Sequence, residues 1–171
     1  MNQSKTQEVK TRARKTLCLK MDKKVRTYVT DTSAIISQFL KKLIYKGLSG
    51  KIMIPNAVMA ELENLANKGN EAGFRGLDEV ANLHKLKHKY NFTIFFEGLR
   101  PTEHQIKFAK SGEIDALIRE IALANKATLI TADLVLAKTS QAYNLPVLFM
   151  KPKQVQEKKK KFFLFRFKKR R

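Results

Sequence analysis

Between residues 25 and 150, short apolar runs alternate with stretches of helical periodicity, and this alternation restricts the fold more than any other feature of the chain. Val25 to Thr30, Ile52 to Ile54, Phe92 to Phe96, Ala127 to Thr131 and Pro146 to Met150 have the length and composition of strands. Between the first two, Ile35, Ile36, Phe39, Leu40, Leu43 and Ile44 recur at helical spacing as one element that Gly47 and Gly50 end. Pro55 opens a helix marked by Val58, Met59, Leu62, Leu65 and Ala66 and stopped at Gly69. Phe74, Leu77, Val80 and Ala81 mark another. Pro101-Thr102 opens a helix broken at Ser111-Gly112; Ile114, Leu117, Ile118 and Ile121 form the next apolar face, and Leu134 to Tyr143 is the last helix. Such alternation predicts an α/β fold with right-handed crossovers: a three-layer α/β/α domain around a central, mostly parallel sheet of four to five strands. The strands carry few charged residues, as expected when helices cover both faces.

The charge lies mostly outside that unit. The 171 residues carry 35 Lys+Arg against 15 Asp+Glu, a net charge of +20. Residues 1–24 contribute +6 and residues 151–171 contribute +10, leaving 16 basic and 12 acidic residues in 25–150. Three parts follow: a basic N-terminal arm (1–24), a folded domain (25–150) and a basic, Phe-rich C-terminal arm (151–171). The N-terminal arm holds the cations Arg12, Arg14 and Lys15, and the C-terminal arm sets Lys158, Lys159, Lys160, Lys161, Arg166, Lys168, Lys169, Arg170 and Arg171 beside aromatic rings, Phe165 and Phe167 among them. Cations can meet phosphates while rings stack on unpaired bases, so these are the candidate RNA-binding residues. An amphipathic anchor on an anionic membrane surface is the weaker expectation for the same pattern. A single cysteine, Cys18, excludes an internal disulfide framework, and no apolar run approaches the ~20 residues of a membrane span. A cytoplasmic location is expected.

In open parallel sheets, ligands sit outside the carboxyl ends of the strands. Asp31 follows the first strand and Asp133 the fourth; Glu61 or Glu63 lies in the second turn of the helix after the second strand; Glu113 and Asp115 open the helix before the fourth. Each has a bland explanation, as an N-cap, as an acid at the positive end of a helix dipole or as a surface acid. Together they form a carboxylate group suited to hard divalent ions such as Mg²⁺ or Mn²⁺. Helical geometry does not choose between Glu61 and Glu63. It turns Glu113 about 160° from Asp115 on a regular helix.

Four stretches resemble the motifs of PIN-domain proteins, the PilT N-terminus or VapC-like nucleases. They are Thr30-Asp31-Thr32-Ser33-Ala34-Ile35-Ile36, Ile54 to Leu62, Gly112-Glu113-Ile114-Asp115-Ala116-Leu117-Ile118 and Leu129-Ile130-Thr131-Ala132-Asp133. The resemblance maps the second acid onto Glu61 and implies a metal-dependent endoribonuclease, acting in RNA processing, ribosome maturation or as a toxin-like enzyme. Asp31, Glu61, Asp115 and Asp133 would be its catalytic and metal-binding residues, with Thr131, Ser33 and Glu113 in support. Mg²⁺ or Mn²⁺ is the implied cofactor and RNA, ribosomal RNA or tRNA among them, the implied partner. A homodimer mate and a protein inhibitor are further candidates. Glu61 to Leu77 is most similar to archaeal PIN domains that precede an ATPase module, yet no GxxxxGK(S/T) phosphate loop occurs, which leads to the expectation of a PIN domain with basic arms in place of the ATPase. The alternative is a catalytically silent RNA- or ribosome-binding PIN protein. Arg75, Arg100 and Arg119 are secondary candidates for drawing in phosphate, and His84 and His88 have helical metal-ligand spacing without an HExxH glutamate.

Overall fold

The computed structural model describes residues 25–108 and 112–151. These form strands β1 (Thr27–Thr30), β2 (Gly50–Pro55), β3 (Phe92–Glu97), β4 (Thr128–Thr131) and β5 (Val147–Phe149). The helices are α1 (Thr32–Ile36), α2 (Phe39–Tyr45), α3 (Asn56–Asn67), α4 (Glu71–Leu86), α5 (Glu103–Phe108), α6 (Glu113–Ala124) and α7 (Leu134–Ala142). The strand order is β3-β2-β1-β4-β5, and every neighbouring pair is parallel. The chain moves outward from β1 to β2 and β3, then returns to lay β4 along the other side of β1. That reversal creates a crevice beyond the carboxyl ends of β1 and β4.

Helices cover both faces of the central strands. Successive strand residues point to opposite faces, and Val29 with Thr30, Ile52 with Met53 and Ile54, and Leu129 with Ile130 and Thr131 are all buried. Burying each of the larger aliphatic side chains contributes about 1.5–3 kcal/mol. At the edge, β3 buries only Phe92 fully and leaves the consecutive Phe95 and Phe96 partly in solvent.

Three local features differ from the periodicity. The helix expected to run from Ile35 to Ile44 is broken at Ser37-Gln38, where Gln38 adopts φ 55°, and α1 and α2 bury different stripes of the core. The break leaves backbone donors at the start of α2 unpaired within the helix. Glu79 of α4 supplies a partner, its Oε1 accepting from the Lys41 amide at 3.0 Å. In α4 the buried residues are Gly73, Gly76, Glu79, Val80 and Leu83, whereas Phe74 is exposed, so the expected face is rotated. The cause is close packing on α3: a Cβ at Gly73 would lie 2.3 Å from the Ala66 backbone nitrogen. Finally, Pro55 ends β2, in register with Glu97, rather than lying inside the next helix.

Candidate active site

Asp31 leaves β1 at its carboxyl end and caps α1, with Oδ1 accepting from the Ala34 amide at 2.8 Å. Its Oδ2 accepts from the Ser33 hydroxyl at 2.7 Å and from the Thr131 hydroxyl at 2.7 Å. Asp133 sits past β4 and caps α7, its Oδ1 accepting from the Val135 amide at 2.6 Å and the Leu136 amide at 3.1 Å. Both acids are therefore ordinary N-caps as well as cleft residues. Asp133 Oδ2 makes no hydrogen bond among the described residues.

The hydroxyls that hold Asp31 also tie the two strand ends together. Ser33 Oγ accepts from the Ala132 amide at 2.9 Å, and Thr131 Oγ1 accepts from the Asp133 amide at 2.9 Å. Each hydroxyl thus spends its proton on Asp31 and its lone pair on the β4–α7 loop.

Glu61 and Glu63, equivalent by helical geometry, separate in space. The buried Thr32 hydroxyl donates to Glu61 Oε2, turning that carboxylate into the cleft. Glu63 instead pairs with Arg100 on the exposed side of α3. Thr32 was not among the candidates from sequence, although its place between Asp31 and Ser33 carried the signal. Asp115, in the first turn of α6, completes the group, and the resulting cleft of about 240 Å³ is lined by Asp31, Thr32, Ser33, Ile36, Glu61, Leu65, Asp115, Ile118 and Asp133.

Burial pushes the Asp31 carboxyl above the usual carboxylate range; the Ser33, Thr131 and Ala34 hydrogen bonds oppose this, and the Asp115 charge adds to it. Asp115 is also raised, first by burial and then by the charge of Asp133, with Arg119 one turn along α6 pulling the other way. The cleft is thus a place where negative charge is disfavoured and a cation would relieve the repulsion. All the donors are oxygens, the set that hard divalent ions prefer. Among the described residues, however, no three His, Cys, Asp or Glu side chains already stand close enough together to hold one ion.

The remaining candidates lie elsewhere. Glu113 is exposed and lines a separate cavity of about 590 Å³ with Leu99, Pro101, Phe108, Ile114 and Leu117, because regular α6 geometry turns it away from Asp115. It does not reach Asp31 or the cleft. His84 stacks on Phe96 at 6.0 Å, and the His104 ring lies 4.5 Å from that of Phe108, tilted by 43°. Arg75 is exposed on α4, Arg100 is engaged by Glu63, and Arg119 lies over the Tyr143 ring at 4.8 Å. Arg12, Arg14, Lys15, Cys18 and all the candidates between Lys158 and Arg171 lie outside the described residues, as does Ser111. No helix among the described residues is long and apolar enough to cross a membrane.

Comparison with known proteins identifies the family. The PIN domain model matches residues 28–142. An uncharacterized KH and PIN-domain containing protein of Methanocaldococcus jannaschii is 36% identical over 122 residues, which are 70% of this chain and 19% of that protein. The Holliday junction branch migration ATPase PINA of Sulfolobus acidocaldarius is 25% identical over 138 residues, 81% of this chain and 26% of the relative. This chain therefore spans only about a fifth to a quarter of the length of those relatives. A solved domain of a functionally unknown protein from Methanocaldococcus jannaschii superposes with a TM-score of 0.69 at 35% identity, covering 73% of this chain and 91% of that one. The chain belongs to the PIN domain family, whose members are generally nucleases and typically use divalent metals.

Proposed function

We propose that this protein is a metal-dependent endoribonuclease that hydrolyses RNA phosphodiester bonds in the cleft of Asp31, Glu61, Asp115 and Asp133, in RNA processing, ribosome maturation or a toxin-like role. One observation carries the reading: four carboxylates from four separate elements line a single cleft at the switch point of the sheet. Carboxylates placed this way work against folding unless a cation offsets them. Mg²⁺ or Mn²⁺ held there would activate a water and neutralise charge at the scissile phosphate. Asp31, Asp115 and Asp133 are the residues that would hold the ion, with Glu61 completing the ring. Thr131 and Ser33 orient the Asp31 carboxylate, and Thr32 orients Glu61. Basic side chains of the two arms bring the RNA to a cleft that would otherwise repel it.

The test is cleavage of single-stranded RNA with Mn²⁺ or Mg²⁺ by the wild type, Asp31→Asn, Asp115→Asn and Asp133→Asn. The expected result is metal-dependent cleavage in the wild type, with a loss of at least about 100-fold in each variant. The competing reading, a catalytically silent RNA- or ribosome-binding protein, is favoured by the spread of the acids, no three of which already enclose an ion among the described residues. RNA binding without cleavage in the wild type would decide for it.

A further inference from the structure

We propose that the amino edge of the sheet, at the opposite end from the acidic cleft, carries a non-catalytic binding site for single-stranded nucleic acid. Two segments meet there. The end of α2 and the loop into β2, residues 41–51, pass beside the end of α4 and the loop into β3, residues 84–91, where the Gly50 amide donates to the Asn91 carbonyl at 3.1 Å. The two segments hold seven lysines and two histidines and no Asp or Glu. Without those lysines, residues 25–150 carry 9 basic and 12 acidic residues, so the core owes its excess of positive charge to these two segments. They and the acidic cleft lie at opposite ends of the strands, about 20 Å apart along a six-residue strand such as β2.

The charge is interleaved with exposed rings. Tyr45 and Tyr90 meet at 5.6 Å between ring centroids, tilted by 49°, and are 54% and 37% exposed. The Lys41 ammonium lies 5.9 Å from the Tyr45 centroid, while Lys46, Lys87 and Lys89 are exposed around the pair. Glu79, an acid on the neighbouring part of α4, is wholly buried behind Lys41 and presents no charge to this surface. Aromatic faces beside mobile cations fit a flexible polyanion whose bases are free to stack, which a duplex does not offer. A lipid surface fits less well. Membrane-surface helices present an apolar face to the acyl boundary, whereas Ile44 and Leu83 of these helices are spent on the core.

The test uses the full chain, a fluorescent 12-residue oligouridylate and EDTA, so that cleavage plays no part and an inactive wild type would leave the result unaffected. Affinity is measured across a salt series for Lys46→Gln/Lys87→Gln/Lys89→Gln and for a control with equal charge loss, Lys68→Gln/Lys107→Gln/Lys138→Gln. Loss of three phosphate contacts should lower the salt slope by about 2 in the first variant and by much less in the control. At a salt concentration that suppresses the contribution of the arms, Tyr45→Ala should weaken binding about 5- to 150-fold, with Tyr45→Phe close to wild type. Equal slope changes in the two lysine variants would mean that only net charge matters and would overturn the site. An unaltered affinity in Tyr45→Ala would overturn base stacking and with it the single-strand assignment. If the first lysine variant lost only its binding to phosphatidylserine vesicles and kept its binding to the oligonucleotide, the surface would be a membrane contact instead.

Discussion

The Thr131 hydroxyl donates to Asp31 Oδ2 at 2.7 Å, across 100 residues of sequence, and in the same geometry accepts from the Asp133 amide. One buried oxygen therefore sets the position of two acids that follow different strands. Thr131→Val keeps the volume and removes both bonds. It should weaken Mn²⁺ binding or Mn²⁺-dependent cleavage about 10- to 100-fold and destabilise the fold by about 1–3 kcal/mol through the unpaired Asp133 amide. Thr131→Ser should restore most of both. Normal Mn²⁺ dependence in Thr131→Val would show that Asp31 needs no such support.

Melting with and without Mn²⁺ reports on the cleft without any substrate. An ion that binds only the folded chain at 100 times its Kd adds about 2.7 kcal/mol, so the wild type should melt several degrees higher with Mn²⁺ than with EDTA. Asp31→Asn and Asp115→Asn should lose that difference. Asp115→Asn should also melt higher than the wild type in EDTA, because it removes a charge that burial disfavours. A metal-induced shift that survived both substitutions would place the ion elsewhere.

Glu79 gives a stability effect with a defined pH sign. It is fully buried, its Oε2 has no partner among the described residues, and burial raises its pKa against the opposing influence of the Lys41 amide and the Lys41 and Lys42 charges. A folded pKa above the unfolded value means that its contribution is complete below the unfolded value and is lost as pH rises through the raised one. Glu79→Gln keeps an acceptor for the Lys41 amide and removes the charge, so the variant should gain on the wild type as pH rises from 4 towards 8. Glu79→Ala should be less stable by about 1 kcal/mol or more at every pH, through loss of the cap on α2. Urea unfolding at several pH values distinguishes them.

The contact between α3 and α4 rests on two glycines of unequal tolerance. A methyl at Gly73 would meet the Ala66 backbone nitrogen at 2.3 Å and the Leu62 carbonyl oxygen at 2.7 Å, which only a shift of a whole helix can relieve. At Gly76 the nearest atom is Leu62 Cδ2 at 2.3 Å, the end of a side chain that can turn away. Gly73→Ala should cost about 1–3 kcal/mol and Gly76→Ala distinctly less, read as shifts in the urea midpoint. Equal costs would mean that the two helices part together.

Much of this was legible before any coordinates. The alternation of apolar strands with helices specified the layered fold, and the four motifs put acids where a parallel sheet opens its ligand crevice. Less legible was anything carried by residues that leave little trace in an apolar pattern. Gly73 and Gly76 rotate the buried face of α4 although neither has a side chain to count. The break at Gln38 is invisible to periodicity, because Ile35, Ile36, Phe39 and Leu40 satisfy a continuous helix and the compensating carboxylate of Glu79 comes from about forty residues away.

By itself the sequence determined the order of the strands, the acids that close β1 and β4 and the excess of positive charge in residues 1–24 and 151–171, because these follow from local pattern and composition. The motif resemblance already pointed to Glu61 and helical geometry already turned Glu113 from Asp115; only the tertiary structure bonded Glu61 to Thr32 and Glu63 to Arg100, seated the Ser33 and Thr131 hydroxyls on one carboxylate oxygen and gathered two lysine-rich loops at the far edge of the sheet. The physical reason is the crossover that returns the chain to lay β4 along β1. It makes neighbours of residues far apart in sequence, and hydrogen bonding and desolvation at those meetings then select which acids face the cleft.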